Sequence, residues 1–210
     1  MDFILSLFFP PKCPYCLKSI SRGLAECPVC RAGFPKYPKI EPIPSGEICV
    51  APFYYDMAVR KAIVNFKFNG KKFNAKSLSL AVSSAVEKVY KDMDFELVAS
   101  VPLSVERQRE RGFNQSEIIA KNVAKHFGKP YIPLLKKTRN NPEQHKLSSK
   151  EREKNVIGVY SVIDSERVKG KKILLVDDVA TTGNTLAECC RMLKKSGADR
   201  ILCAAIAIAE

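Results

Sequence analysis

Histidine is nearly missing from this chain. Its 210 residues include two, His126 and His145, and neither has a metal-ligating partner at helical spacing, so a histidine-built metal centre is excluded. An apolar stretch long enough to cross a bilayer, about 20 residues, is missing from the N-terminal region as well. Residues 3–9 are apolar, but they follow Asp2 instead of a basic start, lack a small-residue cleavage site and run into Pro10-Pro11; a signal peptide does not fit. That segment reads as a short amphipathic piece packed on the rest of the protein, with transient membrane or partner contact as the alternative. Acidic residues are scarce relative to bases: 22 Asp and Glu against 35 Lys and Arg leave a formal net charge of +13. The excess favours an anionic partner, whether phosphate esters, nucleic acid or an acidic surface, without choosing among them. Internal repeats are absent apart from a doubled Cys-x-x-Cys.

What is present is an ordinary soluble composition, 46% apolar and 27% charged, in a chain long enough for one domain of about 150 residues plus something small. Cysteine is the exception to the ordinary, with eight in all. Cys13-Pro14-Tyr15-Cys16 and Cys27-Pro28-Val29-Cys30 form two chelating turns at zinc-ribbon spacing. Four thiolates around Zn²⁺ make a closed structural site that holds a segment too small for its own core; two disulfides, or iron in the same four-sulfur site, are the alternatives. Cys49, Cys189, Cys190 and Cys203 lie in apolar or helical patterns and read as reduced buried thiols, which places the protein in the cytoplasm.

Residues 34–50 contain four prolines and Gly46 and read as a linker. This divides the chain into residues 1–50 (apolar segment, zinc ribbon, linker) and 51–210. In the second part, short apolar runs alternate with helical patterns, the signature of a parallel α/β sheet. The order is a strand over 50–55, helices through Ala58–Phe66 and Leu78–Val89, and a strand over 96–101. A charged loop over 104–112 follows, then a helix opened by Asn114 and Glu117 and a polar loop over 136–155. Strands over 156–163, 173–177 and 201–207 complete it, with a helix over 184–196 between the last two.

The most informative run is Lys172-Ile173-Leu174-Leu175-Val176-Asp177-Asp178-Val179-Ala180-Thr181-Thr182-Gly183-Asn184-Thr185-Leu186. An apolar strand delivers two adjacent acids to its C-terminal edge, where open α/β sheets bind ligands. A Thr/Gly turn then opens a helix whose free N–H groups and positive dipole end suit a phosphate. Acids beside such a site accept from sugar hydroxyls and attract Mg²⁺; the alternative is a tight turn capped by Thr182 with solvated acids.

Residues 173–186 closely resemble the phosphoribosyl pyrophosphate signature of type I phosphoribosyltransferases. The resemblance implies an α/β fold, a parallel-sheet phosphoribosyltransferase-like domain with the small four-cysteine zinc ribbon at its N-terminus. It implies that Asp177 and Asp178 hold the ribose hydroxyls, that Val179 to Thr185 cradle the 5-phosphate, and that Pro102, Leu103 and Ser104 form a pyrophosphate loop. Arg107, Arg109 and Arg111 follow that loop. The pattern Arg111-Gly112-Phe113-Asn114-Gln115, with Gln144, Leu147, Arg152, Asn155 and Val156 and the cysteine module, narrows the resemblance to the ComF family of bacterial competence. The sequence departs from that pattern at Asn141 and Lys137, where Thr and Arg are expected. Because the sequence ends just after its last predicted strand, any hood over an acceptor is expected from residues 53–75.

Arg111 is assigned to the donor, while Lys67, Lys71, Lys72, Arg107 and Arg109 are candidates for nucleic-acid or acceptor contact. Three roles stay open. The chain transfers a phosphoribosyl group to an acceptor, or it binds the donor with Mg²⁺ while its basic surface handles single-stranded DNA during uptake. In the third, its zinc ribbon and apolar N-terminus dock on a competence helicase or DNA translocation machinery at the inner face of the membrane.

Overall fold

The computed structural model describes residues 11–68, 73–139 and 157–209, with the side chains of Lys67, Phe68 and Phe73 excluded. The N-terminal apolar segment up to Pro10, Lys71, Lys72, Asn141, Gln144, His145, Leu147, Arg152, Asn155 and Val156 lie outside the described residues, as does the side chain of Lys67.

The chain forms α1 (Pro28–Ala32), β1 (Lys39–Pro42), β2 (Ile48–Ala51), β3 (Phe53–Tyr54), α2 (Met57–Phe68), α3 (Phe73–Tyr90) and β4 (Leu97–Ser100). It continues through α4 (Val105–Arg111), α5 (Gln115–His126), β5 (Leu135–Lys137), β6 (Tyr160–Val162), β7 (Lys172–Ala180), α6 (Asn184–Lys195) and β8 (Arg200–Ile208). The main sheet runs β1-β2-β8-β7-β4, with β3 also on β8. All its pairs are parallel except β1 with β2. β5 and β6 make a separate antiparallel pair.

β7 and β8 are central and buried on both faces, which is why they read as continuous apolar runs. Leu174 and Val176 join Leu202, Ala204 and Ile206 under α2, α3 and α5. Ile173 and Leu175 join Ile201, Cys203 and Ala205 under α6 and the β5–β6 pair. On α6, Leu186, Cys189, Cys190 and Leu193 form the buried stripe; each enclosed leucine contributes about 1.5–3 kcal/mol of burial free energy.

Several sequence expectations change; the strand expected over 156–163 is β6 alone, paired antiparallel with β5 outside the main sheet. Residues 34–50, expected as a linker, supply β1 and β2 to the main sheet, with Cys49 opposite Cys203 and Val50 opposite Ala204. The charged stretch after Ser104, expected as a loop, is α4. Ser104 caps it by accepting from the Arg107 N–H, Glu106 lies in its first turn, and Gly112 closes it at φ 76°. No residue of α4 is buried, so caps and charges hold it and no apolar stripe announces it. Strands β7 and β8 also run further than their apolar runs, to Ala180 and Ile208.

The four-cysteine module is part of the main core: Cys13, Tyr15, Ile20 and Cys27 belong to the cluster under α3. The rings of Tyr15, Phe34 and Phe53 meet edge to face at 4.9–5.9 Å. Ser77 of α3 donates to Glu26 at 2.6 Å and pairs with the Tyr15 hydroxyl at 3.2 Å. Burial pushes the Tyr15 hydroxyl well up from its ordinary value.

Candidate functional site

The site begins where β7 hands over to α6. Gly183 is the N-cap at φ 71°, no side chain caps the helix, and no acid sits in its first turn. Thr182 is therefore not the cap, and the positive end of α6 faces the Thr181-Thr182-Gly183 turn. A Cβ on Gly183 would lie 2.8 Å from Ile43 Cγ2 and 3.2 Å from Pro44 Cδ, so the turn after β1 presses directly on this one. Glu47 in that same turn pairs with Lys194 near the end of α6. A hollow of about 270 Å³ opens there, lined by Ile43, Tyr54, Ala180, Thr181, Thr182 and Gly183 among others.

Asp177 is 8% exposed. One of its oxygens accepts from Ser116 Oγ at 3.0 Å and from the Asp178 N–H at 2.8 Å. Asp178 and Val179 are half-buried, Ala180 buried, Thr181 exposed, and Asn184 and Thr185 half-buried. Just below the acids, the Val101 N–H donates to Val176 O at 3.0 Å, which brings the start of the Pro102-Leu103-Ser104 loop beside Asp177. Pro102 and Leu103 line a second hollow of about 240 Å³ with Ser100, Asn114, Tyr131 and Lys137; Ser104 turns away to cap α4.

The three arginines of α4 separate. Arg107 and Arg111, four apart and so on one helix face, are half-buried, whereas Arg109 is exposed. Arg107 lies near Lys137 and Tyr160, and Arg111 Nη1 donates to Gln115 Oε1 at 3.2 Å. Lys137 was noted in the sequence only as a departure from a family pattern. On β5 it sits opposite Tyr160 of β6, its Nζ 5.8 Å from the ring centroid. Partial burial, then the neighbouring Arg107 charge, hold the Lys137 ammonium down to about 8, while Asp177 pulls the other way. Tyr160, raised by burial, hydrogen-bonds Thr185 in the first turn of α6. Ser116, Lys137 and Tyr160 are the site residues that sequence reasoning missed; the signal for the last two was the strand register, which needs the fold.

The sulfurs of Cys13, Cys16, Cys27 and Cys30 all lie within 4.8 Å of one another, and those of Cys16 and Cys27 are 3.7 Å apart. Metal–sulfur bonds of about 2.3 Å in a tetrahedron require sulfurs about 3.8 Å apart, so the four thiols fit a structural metal. The Cys30 N–H donates to Cys27 Sγ at 3.4 Å, and that bond chiefly lowers the Cys27 thiol to about 7. A larger groove of about 580 Å³, between this module and α3, is lined by none of the residues around the end of β7.

Residues 114–209 match the phosphoribosyl transferase domain family, and the fold is that of the type I enzymes. Competence protein ComFC of Bacillus subtilis is 33% identical over 147 residues, 69% of this chain and 57% of that protein. ComFC of Streptococcus pneumoniae is 31% identical over 192 residues, 90% of this chain and 77% of that protein. An adenine phosphoribosyltransferase structure from Giardia lamblia is similar over 82% of this chain and 93% of that one, at TM-score 0.44 and 17% identity. A phosphoribosyltransferase-type domain carrying a four-cysteine module is thus the class of protein. The chain belongs to the ComF family of competence proteins.

Proposed function

We propose that this protein binds phosphoribosyl pyrophosphate with Mg²⁺ at the end of β7 and serves DNA uptake in natural transformation, where it handles single-stranded DNA. The observation that carries the donor reading is the side-chain-uncapped N-terminus of α6, whose Thr181-Thr182-Gly183 turn lines a hollow and follows within a few residues the buried acid Asp177. In this reading the backbone of Val179 to Thr185 takes the 5-phosphate and Asp177 and Asp178 take the ribose hydroxyls. Pro102, Leu103 and Lys137 of the second hollow, with Arg107 near Lys137 and Arg111 on the same helix face, take the diphosphate, although the α4 residues that line the hollow itself are Val105 and Gln108, with Glu117 of α5. When bound, Mg²⁺ supplies charge neutralisation at that diphosphate.

The DNA reading is supported by the names of the relatives and by the net charge of +13. The protein acts in the cytoplasm, with Zn²⁺ in the cysteine module, and reaches the inner face of the membrane through a competence helicase or translocation machinery. Among the described residues no helix is long and apolar enough to cross a membrane. A second reading, phosphoribosyl transfer to a small acceptor in nucleotide metabolism, uses the same donor site.

Calorimetry with phosphoribosyl pyrophosphate and Mg²⁺ tests the donor reading: saturable binding is expected, and Asp177→Asn with Asp178→Asn should abolish it. Equal affinity in that variant would sink the reading. Titration with single-stranded DNA across salt concentrations tests the second half, which fails if no binding occurs at low salt. Pyrophosphate release measured with and without DNA then separates transfer from binding alone.

A further inference from the structure

The first turn of α5 is made of three consecutive buried polar residues, Asn114, Gln115 and Ser116, at 6%, 0% and 3% exposure. Each reaches a different part of the molecule. Asn114 caps its own helix by accepting from the Ser116 N–H at 3.1 Å, while its Nδ2 donates to Val101 O at 3.0 Å, one residue before Pro102. Gln115 Oε1 receives the Arg111 guanidinium. Ser116 Oγ donates to Asp177. Just before them, the Phe113 ring packs 5.5 Å from Phe66 of α2, which anchors the turn to the core.

Gln115 has a further peculiarity: its Nε2 is enclosed and has no hydrogen-bond partner. A fully buried amide that satisfies only its oxygen is a poor choice for stability, since an apolar side chain of the same size would fill the space without an orphaned donor. Its use must lie in what the oxygen holds, the Arg111 guanidinium.

We infer that the Asn114-Gln115-Ser116 turn is the positioning device of the donor site. It fixes the start of the diphosphate loop, the Arg111 guanidinium and the Asp177 carboxylate relative to one another, so that the ribose and diphosphate ends of one ligand are read by a single rigid unit. This rests on the donor reading above and extends it to Gln115 and Ser116, which need not touch the ligand, and to Asn114, which also lines the second hollow. The three are positioning residues, each acting through the group it holds.

The division of labour is testable with inorganic pyrophosphate plus Mg²⁺ and with ribose 5-phosphate as separate calorimetric probes of the full-length protein. Gln115→Leu is expected to weaken pyrophosphate about tenfold while ribose 5-phosphate stays within about twofold. In an Arg111→Met background the same change should have no further effect, and Gln115→Glu, which keeps the accepting oxygen, should recover most of the loss. Ser116→Ala should show the reverse selectivity, weakening ribose 5-phosphate, with rescue by Ser116→Thr. Additive losses in Gln115→Leu with Arg111→Met, or equal losses on both probes in either single variant, would overturn the inference and leave the donor reading standing. Wild-type protein that binds none of these ligands would remove both.

Discussion

In the cysteine module the four sulfurs come from residues 13 to 30 and two short turns set their spacing. At the end of β7 the groups around Val176, Asp177 and the Gly183 turn come from five stretches of chain: Ile43 and Pro44 on Gly183, Val101 on Val176, and Ser116, Lys137 and Tyr160 around Asp177. Both regions bring polar groups into a small volume, by opposite routes. The module's sulfurs are set by local covalent spacing, and a bound metal would add its free energy to the packing that Cys13, Tyr15, Ile20 and Cys27 already make with the core. The region at the end of β7 depends on sheet register and helix packing.

Breaking the module should have the largest effect. Cys13→Ser or Cys27→Ser is expected to release the metal, measured by a chromophoric chelator. The loss should be several kcal/mol, lowering Tm by about 10 °C or more, because Cys13, Tyr15 and Cys27 belong to the main core. An unchanged Tm would show that the Tyr15–Phe34–Phe53 ring contacts, not the ligands, hold the module.

On the donor side the corresponding break is Gly183→Ala, which places a Cβ at positive φ and against Ile43. It should lower stability by about 1–3 kcal/mol, read as a Tm shift of about 2–4 °C per kcal/mol. Adding Ile43→Ala should cost less than the two single changes together, since the clash disappears while the backbone strain persists.

Lys137 gives a pH signature. Its ammonium titrates near 8 in the free protein, and an anionic ligand favours the charged form, so bound protein holds the proton to higher pH. The Lys137 contribution to pyrophosphate affinity is therefore full below pH 8. It is lost as pH rises through that value, by about tenfold between pH 7 and 9. Lys137→Met should erase the difference when both proteins are titrated in the same buffers.

The smallest effect is the sharpest contrast within one helix. Arg107→Ala should weaken pyrophosphate binding, whereas Arg109→Ala, on the solvent side of α4, should leave it within about twofold. Equal losses in both would mean that α4 acts as a diffuse cationic patch.

What could be read without the fold was contiguous. The strand, acid pair, turn and helix over residues 173–186 form one unbroken motif, and the two cysteine turns carry their spacing with them. β1 escaped notice because Pro42 and the flanking Pro35, Pro38 and Pro44 mimic a linker; Pro42 is tolerated there because β1 is an edge strand whose end needs no donor. α4 was obscured because a helix without a buried face has no apolar period, and its only marks were Ser104 and Gly112. Lys137 and Tyr160 stood 23 residues apart by their numbers, and only pairing of β5 with β6 makes them neighbours.

The order of residues determined that a strand ending in two acids hands over to a Thr/Gly turn and a helix, and that four sulfurs can meet, because both need only local geometry and hydrogen bonds within a few residues. Tertiary structure decided which groups surround the turn: Ser116 on Asp177, Ile43 on Gly183, Lys137 beside Arg107. Those pairs form only after the loops between them have been closed and both faces of β7 buried, and no local spacing encodes that.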